Sequence, residues 1–118
     1  MNEDLEGALQ AYLKLLDEEA YFDAHEALEE AWHPLRLRDH PLKNLAKGLI
    51  NGAIAFEHLK RNKEHAQRKA QKVMTSYERY KHLSTDKIEC ADSFMKACEK
   101  IESLKLQHRG VFDVLVPC

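Results

Sequence analysis

A chain of 118 residues can bury one domain's core and little more, so residues 1–118 are expected to fold as a single helical domain. Its 44% hydrophobic and 32% charged composition, with only four glycines and three prolines, excludes a low-complexity or linker-rich chain. The net charge of -2 conceals an asymmetry: residues 1–32 carry ten acidic side chains against Lys14, and residues 60–82 carry eight basic ones against Glu64 and Glu78.

The first helix is predicted over about Asp4 to Leu16, where Leu5, Leu9, Tyr12, Leu13 and Leu16 recur at helical spacing. Asp17-Glu18-Glu19 makes a joint and sets negative charge where the next helix dipole favours it. The second helix is expected from Tyr21 to about Trp32, because Pro34 disfavours helical geometry at His33. Leu35 and Leu37, in the connection that follows, are expected to pack beneath it.

The third helix, about Pro41 to Arg61, is the most apolar. Leu42, Leu45, Leu49, Ala53, Phe56 and Leu59 cover one side and leave a narrow polar stripe of Asn44, Lys47, Asn51 and His58. Gly48 and Gly52 cost helix propensity of ~1 kcal/mol each, and the expected compensation is the close approach of another helix. This helix is therefore predicted to be central. A fourth helix is expected over about Lys63 to Leu83, and a fifth over about Asp86 to Leu106 behind the capping signal Ser84-Thr85-Asp86. Cys90 and Cys98 on that helix stand roughly 12 Å apart by helical rise, too far to bridge, and are read as small buried hydrophobes. The apolar tail VFDVLVPC is expected to lie extended over a groove or a neighbouring subunit. No βαβ alternation and no glycine-rich phosphate loop occur, which argues against nucleotide folds. The expected architecture is all-α, a compact five-helix antiparallel bundle with an apolar C-terminal tail.

The sharpest chemistry lies in Tyr21 to Trp32, YFDAHEALEEAW, with its His-Glu-x-x-Glu motif. On a helix, Tyr21, Phe22 and Trp32 form an aromatic sector from which His25 and Glu29 project one turn apart. Burying either without a partner costs several kcal/mol by rough transfer estimates, so a partner is expected. Three readings follow. In the first, His25, Glu29, Asn51, His58 and the Trp32 indole form a buried polar network joining helices two and three. In the second, His25 and Glu29 ligate a divalent metal with His58 as third ligand. In the third, Glu29 orients His25 as a base in a small-ligand or hydrolase-like pocket lined by Tyr21, Phe22, Trp32 and Asn51. Glu26 points about 100° away and no nucleophile is spaced to serve His25, so the residues name no reaction.

The run Phe22, His25-Glu26, Leu28-Glu29 and Trp32, followed by Gly48-Leu49-Ile50-Asn51, Ala53, Ala55 and His58, resembles the two blocks of the domain-of-unknown-function family numbered 309. The resemblance spans about Leu13 to Ala70. The chain departs from the family pattern at Asn51, where Gln is more usual. It departs again at Asn62-Lys63-Glu64-His65-Ala66, where the family has an Asn-x-x-Gly-Ala joint. The resemblance implies a compact helical bundle, a small bacterial or archaeal cytoplasmic protein, and supplies no activity.

The remaining expectations concern partners. Gly48 and Gly52, the apolar third helix and the tail are features a homodimer seam would use. The basic stripe has only Tyr77 and Tyr80 interleaved, so it is read as a solvated face and not as a nucleic-acid surface. The acidic start MNEDLEG is unlike a secretion signal, and no apolar run reaches the ~20 residues of a membrane span, so a cytoplasmic protein is expected.

Overall fold

The computed structural model describes residues 5–85 and 90–112. They form five α-helices: α1 (Leu5–Asp17), α2 (Tyr21–Leu37), α3 (Lys43–Arg61), α4 (Ala66–Tyr80) and α5 (Ala91–Gln107). A 3-10 turn, η1 (Lys81–Thr85), follows α4, and no strand occurs among the described residues. The fold is all-α. No helix among the described residues is long and apolar enough to cross a membrane.

Helix α3 occupies the centre, against α2 on one side and α4 on the other, and it also reaches α5. Its run of small and apolar residues buries Leu45, Ala46, Gly48, Leu49, Ile50, Gly52, Ala53, Ala55 and Phe56. The two glycines have separate uses. A Cβ at Gly48 would lie 3.0 Å from the Tyr77 Cα and 3.2 Å from the Ser76 carbonyl oxygen, so the α4 backbone rests directly on α3 there. A Cβ at Gly52 would meet only the tip of Ile101, at 3.2 Å. Both glycines are thus consumed by contacts within the chain, and a dimer seam is not what makes them small.

Side-chain contacts fix the helix directions. Trp32 meets Lys47 and Phe22 meets Arg61, so α2 and α3 run in opposite directions. Lys81 pairs with Glu102 and Glu78 with Lys105, so α4 and α5 do likewise. Helices α1 and α5 lie parallel, since Gln10 hydrogen-bonds Ser93 and Asp17 pairs with Lys100. The bundle closes by bringing its first and last helices together.

Several boundaries differ from expectation. Helix α2 runs through Pro34 to Leu37 instead of stopping at Trp32. Proline removes the N–H that would bond the Glu30 carbonyl. Glu30, His33 and Pro34 all face solvent, where water can serve that carbonyl, and continuing the helix buries Leu35. Leu37 does not pack beneath; it is 79% exposed. Helix α3 starts at Lys43, not Pro41, after His40 Nδ1 accepts a hydrogen bond from the Leu42 N–H at 3.1 Å. Helix α4 starts three residues late because Asn62 and His65 both adopt left-handed backbone, φ 50° and 62°. Cys90, φ 60°, precedes α5 in the same way. Asp86 of the expected cap and residues 113–118 of the tail lie outside the described residues. Of the tail's start, Phe112 is buried edge-on against Phe56, with ring centroids 5.7 Å apart.

The glycines carry a test. Gly48→Ala is expected to cost about 1–3 kcal/mol, because backbone cannot yield to the new methyl. Gly52→Ala is expected to be neutral or stabilising, since the Ile101 tip can shift and helix propensity improves by about 1 kcal/mol. Urea unfolding midpoints of the two variants check this ordering.

Candidate functional site

On α2, Phe22, His25, Glu29, Trp32 and Arg36 follow one another at intervals of three and four and share one face. On α3, Lys47, Asn51, Ile54, His58 and Arg61 do the same. The rows meet along an outer seam. Lys47 Nζ lies 4.3 Å from the Trp32 ring centre at one end, and the Arg61 guanidinium lies 5.6 Å from that of Phe22 at the other. Between these ends the Phe22 and His25 rings stand edge to face at 4.8 Å. The residues singled out from the sequence therefore share this seam, with one exception. Tyr21 turns to the core, is buried, and packs on Phe56 at 5.7 Å.

The seam is an outer surface, not a sealed interior. Phe22 is 42% exposed, and His25, Glu29, Trp32, Asn51 and His58 are half-buried. His25 Nδ1 lies 2.6 Å from the Phe22 carbonyl oxygen, a bond the ring makes as donor when Nδ1 carries the proton. Nε2 is then left facing Glu29, 3.7 Å from its Oε1, an ion-pair distance beyond hydrogen-bond reach. His25 is thus anchored to its own helix. No hydrogen bond among the described residues links His25 or Glu29 to Asn51, His58 or the Trp32 indole. The imidazole and carboxylate find solvent at the seam and do not need those partners.

His58 is held below the ordinary histidine value, first by burial and then by the Lys69 and Arg61 charges beside it, so it is neutral at pH 7. No group of three His, Cys, Asp or Glu side chains among the described residues could hold a metal ion. His25, Glu29 and His58 share a face without converging into a ligand set. The cations differ in how they are answered. Arg61 Nε pairs with Glu57 at 2.5 Å. Lys47 and Arg36, at 4.3 and 5.2 Å from the Trp32 ring centre, have no carboxylate partner among the described residues.

A second cluster escaped the sequence reading. Glu78 and Lys81 from the α4–η1 end, and Glu102 and Lys105 from α5, form a closed ring of four ion pairs. Lys81 Nζ donates to Glu78 at 2.8 Å and to Glu102 at 3.0 Å. Lys105 Nζ, on a side chain almost wholly buried, bonds Glu78 and lies 3.3 Å from Glu102 Oε1. Beneath the ring, the Tyr77 hydroxyl donates to Glu102 at 2.6 Å and lies 3.2 Å from the Cys98 carbonyl oxygen. Burial, then the hydrogen bond to Glu102, pushes the Tyr77 hydroxyl far above the ordinary phenol range. The available signal was a repeated spacing: Glu-x-x-Lys at 78–81 and again at 102–105. Since few other contacts join α4 and α5 directly, the ring is the clamp between them.

The pH dependence of that clamp can be derived. Burial alone would raise the Glu102 carboxyl, but Tyr77, Lys81 and Lys105 hold it below 4.5. The unfolded chain takes up that proton first, so the stabilisation is present above about 4.5 and is lost as pH falls through the folded value. Burial alone would lower Lys81, but Glu78 and Glu102 hold it above 10.5. Its contribution is present below 10.5 and is lost as pH rises through the raised value. The contribution of Glu102 and Lys81 to Tm is therefore expected to be level between these limits and to fall beyond each, with Glu102→Gln flattening the acid limb. The lowered His58 adds a separate loss of stability as pH falls below 6.5. Lys105→Met is expected to cost about 2–3 kcal/mol, at the low end for a broken buried pair because both carboxylates are partly exposed. His25→Ala, with one local hydrogen bond at a half-open site, should cost about 1 kcal/mol or less. Chemical denaturation of these variants checks both magnitudes.

Comparison with known proteins connects this geometry to a family. The model described as Domain of unknown function (DUF309) matches residues 9–70, more than half of the chain. No curated protein and no solved structure matches. The matched segment contains α2, α3 and both rows of the seam, and it stops before the Glu-Lys ring. The chain belongs to the DUF309 family.

Proposed function

We propose that residues 1–118 act as one domain in the cytoplasm and that the α2–α3 seam is a binding surface for a small anionic molecule. One observation carries the reading: Lys47 and Arg36 gather on the Trp32 ring without a carboxylate among the described residues to neutralise either. Two cations over one aromatic ring suit a small ligand that bears a carboxylate or phosphate for the charges and an apolar ring for the indole and the Phe22 side chain exposed on the same face of α2. His25 adds a ring nitrogen that accepts a hydrogen bond when neutral and contributes positive charge when protonated. Glu29 beside it limits how far the seam as a whole becomes positive. Cys90 and Cys98 are thiols, which supports a reducing compartment.

This reading is preferred to a homodimer because Gly48 and Gly52, the flat patch that favoured one, are covered from within the chain. It is preferred to proton-transfer catalysis because His25 and Glu29 lie beyond hydrogen-bond distance of each other.

Trp32 is the single tryptophan of the chain, so its emission reports on the proposed site directly. Phenyl phosphate is expected to change that emission saturably, and phenol to leave it unchanged. The double substitution Arg36→Ala and Lys47→Ala should weaken phenyl phosphate binding about tenfold, and added salt should weaken it in the unsubstituted protein. A flat titration, or binding that survives the double substitution, refutes the proposal.

A further inference from the structure

Four large apolar side chains are exposed among the described residues, and two of them, Met95 at 41% and Leu106 at 47%, stand on α5. They stand eleven positions apart, roughly 16 Å of helix. Both line an open groove of about 580 Å³ between α5 and the α4–η1 segment, with Tyr77, Cys98 and Ser84 in its walls. That volume lies within the range of about 300–1,000 Å³ typical of small-molecule sites. The groove exists because α4 and α5 are joined by the long side chains of the Glu-Lys ring and not by close interlocking of apolar ones.

The charges on its rim are unequal in availability. Lys81 and Glu102 are engaged in the closed ring and offer no uncompensated charge. Burial raises the Cys98 thiol, which therefore stays neutral and acts as part of the apolar wall. Glu99 lines the same groove, one turn from Met95, and makes no ion pair among the described residues. An apolar trough with a carboxylate on its edge that is unanswered among the described residues selects for shape and sign together.

We infer that this groove is a second binding site, for a small molecule with an apolar, ring-sized body and one amine cation. The body lies on Met95 and Leu106, and the amine meets Glu99. The site is independent of the seam, being built from other helices and from residues outside the family-matched segment. It has the opposite charge preference.

The test uses the full chain and three probes with one aromatic body: 2-(1-naphthyl)ethylamine, the matching alcohol, and 1-naphthylacetate. Calorimetry should show the amine binding about three- to fivefold more tightly than the alcohol, with the acetate weakest, as a part-exposed ion pair allows. Glu99→Gln should reduce the amine to the affinity of the alcohol and leave the alcohol unchanged. Amide resonances of Met95, Glu99 and Leu106 should shift while the Trp32 indole N–H does not, which separates this site from the seam. Leu106→Asp, at an exposed position the fold tolerates, should abolish binding of the alcohol. The inference is overturned if no probe binds, if the acetate binds as well as the amine, or if the shifts fall on α2. It is overturned equally if light scattering finds a dimer whose interface covers Met95 and Leu106.

Discussion

At Gly48 the backbone of α4 rests on α3 with no side chain between them, and the functional geometry on that half of the molecule descends from this contact. Tyr77 is wholly buried beside it, and its hydroxyl reaches α5, at the Cys98 carbonyl and Glu102. Once Tyr77 is placed, Glu78 and Lys81 are carried to positions opposite Lys105 and Glu102. The ring then closes. A bulkier residue at position 48 would press on the α4 backbone beside Tyr77 and strain the contact that places the ring. The helix-propensity cost of glycine in a central helix is thus balanced by what the close approach positions.

The two surfaces reflect a common economy of charge. The core takes its aromatic and aliphatic side chains from all five helices and excludes His25 and Glu29 of the signature, which remain half-buried at the α2–α3 seam. Leaving them wet avoids the desolvation that burial would impose. At the Trp32 end of the seam, Arg36 and Lys47 meet no carboxylate among the described residues. In the groove, Glu99 beside Met95 makes no ion pair among the described residues. Lys105 is the exception among the described charged residues. It is buried, and it is satisfied because the ring surrounds it with two carboxylates.

The periodicity of apolar residues was sufficient to identify all five helices, and the composition of α3 identified it as central. Gly48 and Gly52 were legible as points of close approach, although not as contacts to Tyr77 and Ile101 in particular. The family signature was legible as well, and its rows on α2 and α3 do face one another. Less was readable about depth. Tyr21 and Phe22 are adjacent aromatics of similar size, yet one packs on Phe56 in the core and the other lies open under Arg61. Spacing alone placed both in one sector, because a helical wheel gives relative angles and says nothing of where the neighbouring helices sit.

Local sequence determined what local physics controls: which segments are helical and which residues share a face, although the left-handed residues that set where α4 and α5 begin were not legible in it. Tertiary structure decided what depends on the rotation and separation of whole helices. It let α2 continue through Pro34, since the cost of a missing hydrogen bond depends on whether the freed carbonyl meets water or protein. It turned His25 toward its own backbone and not toward α3. It also joined two Glu-x-x-Lys segments into one ring across a gap of 24 positions, a pairing that no short-range rule encodes because it arises only when α4 and α5 are docked in opposite directions.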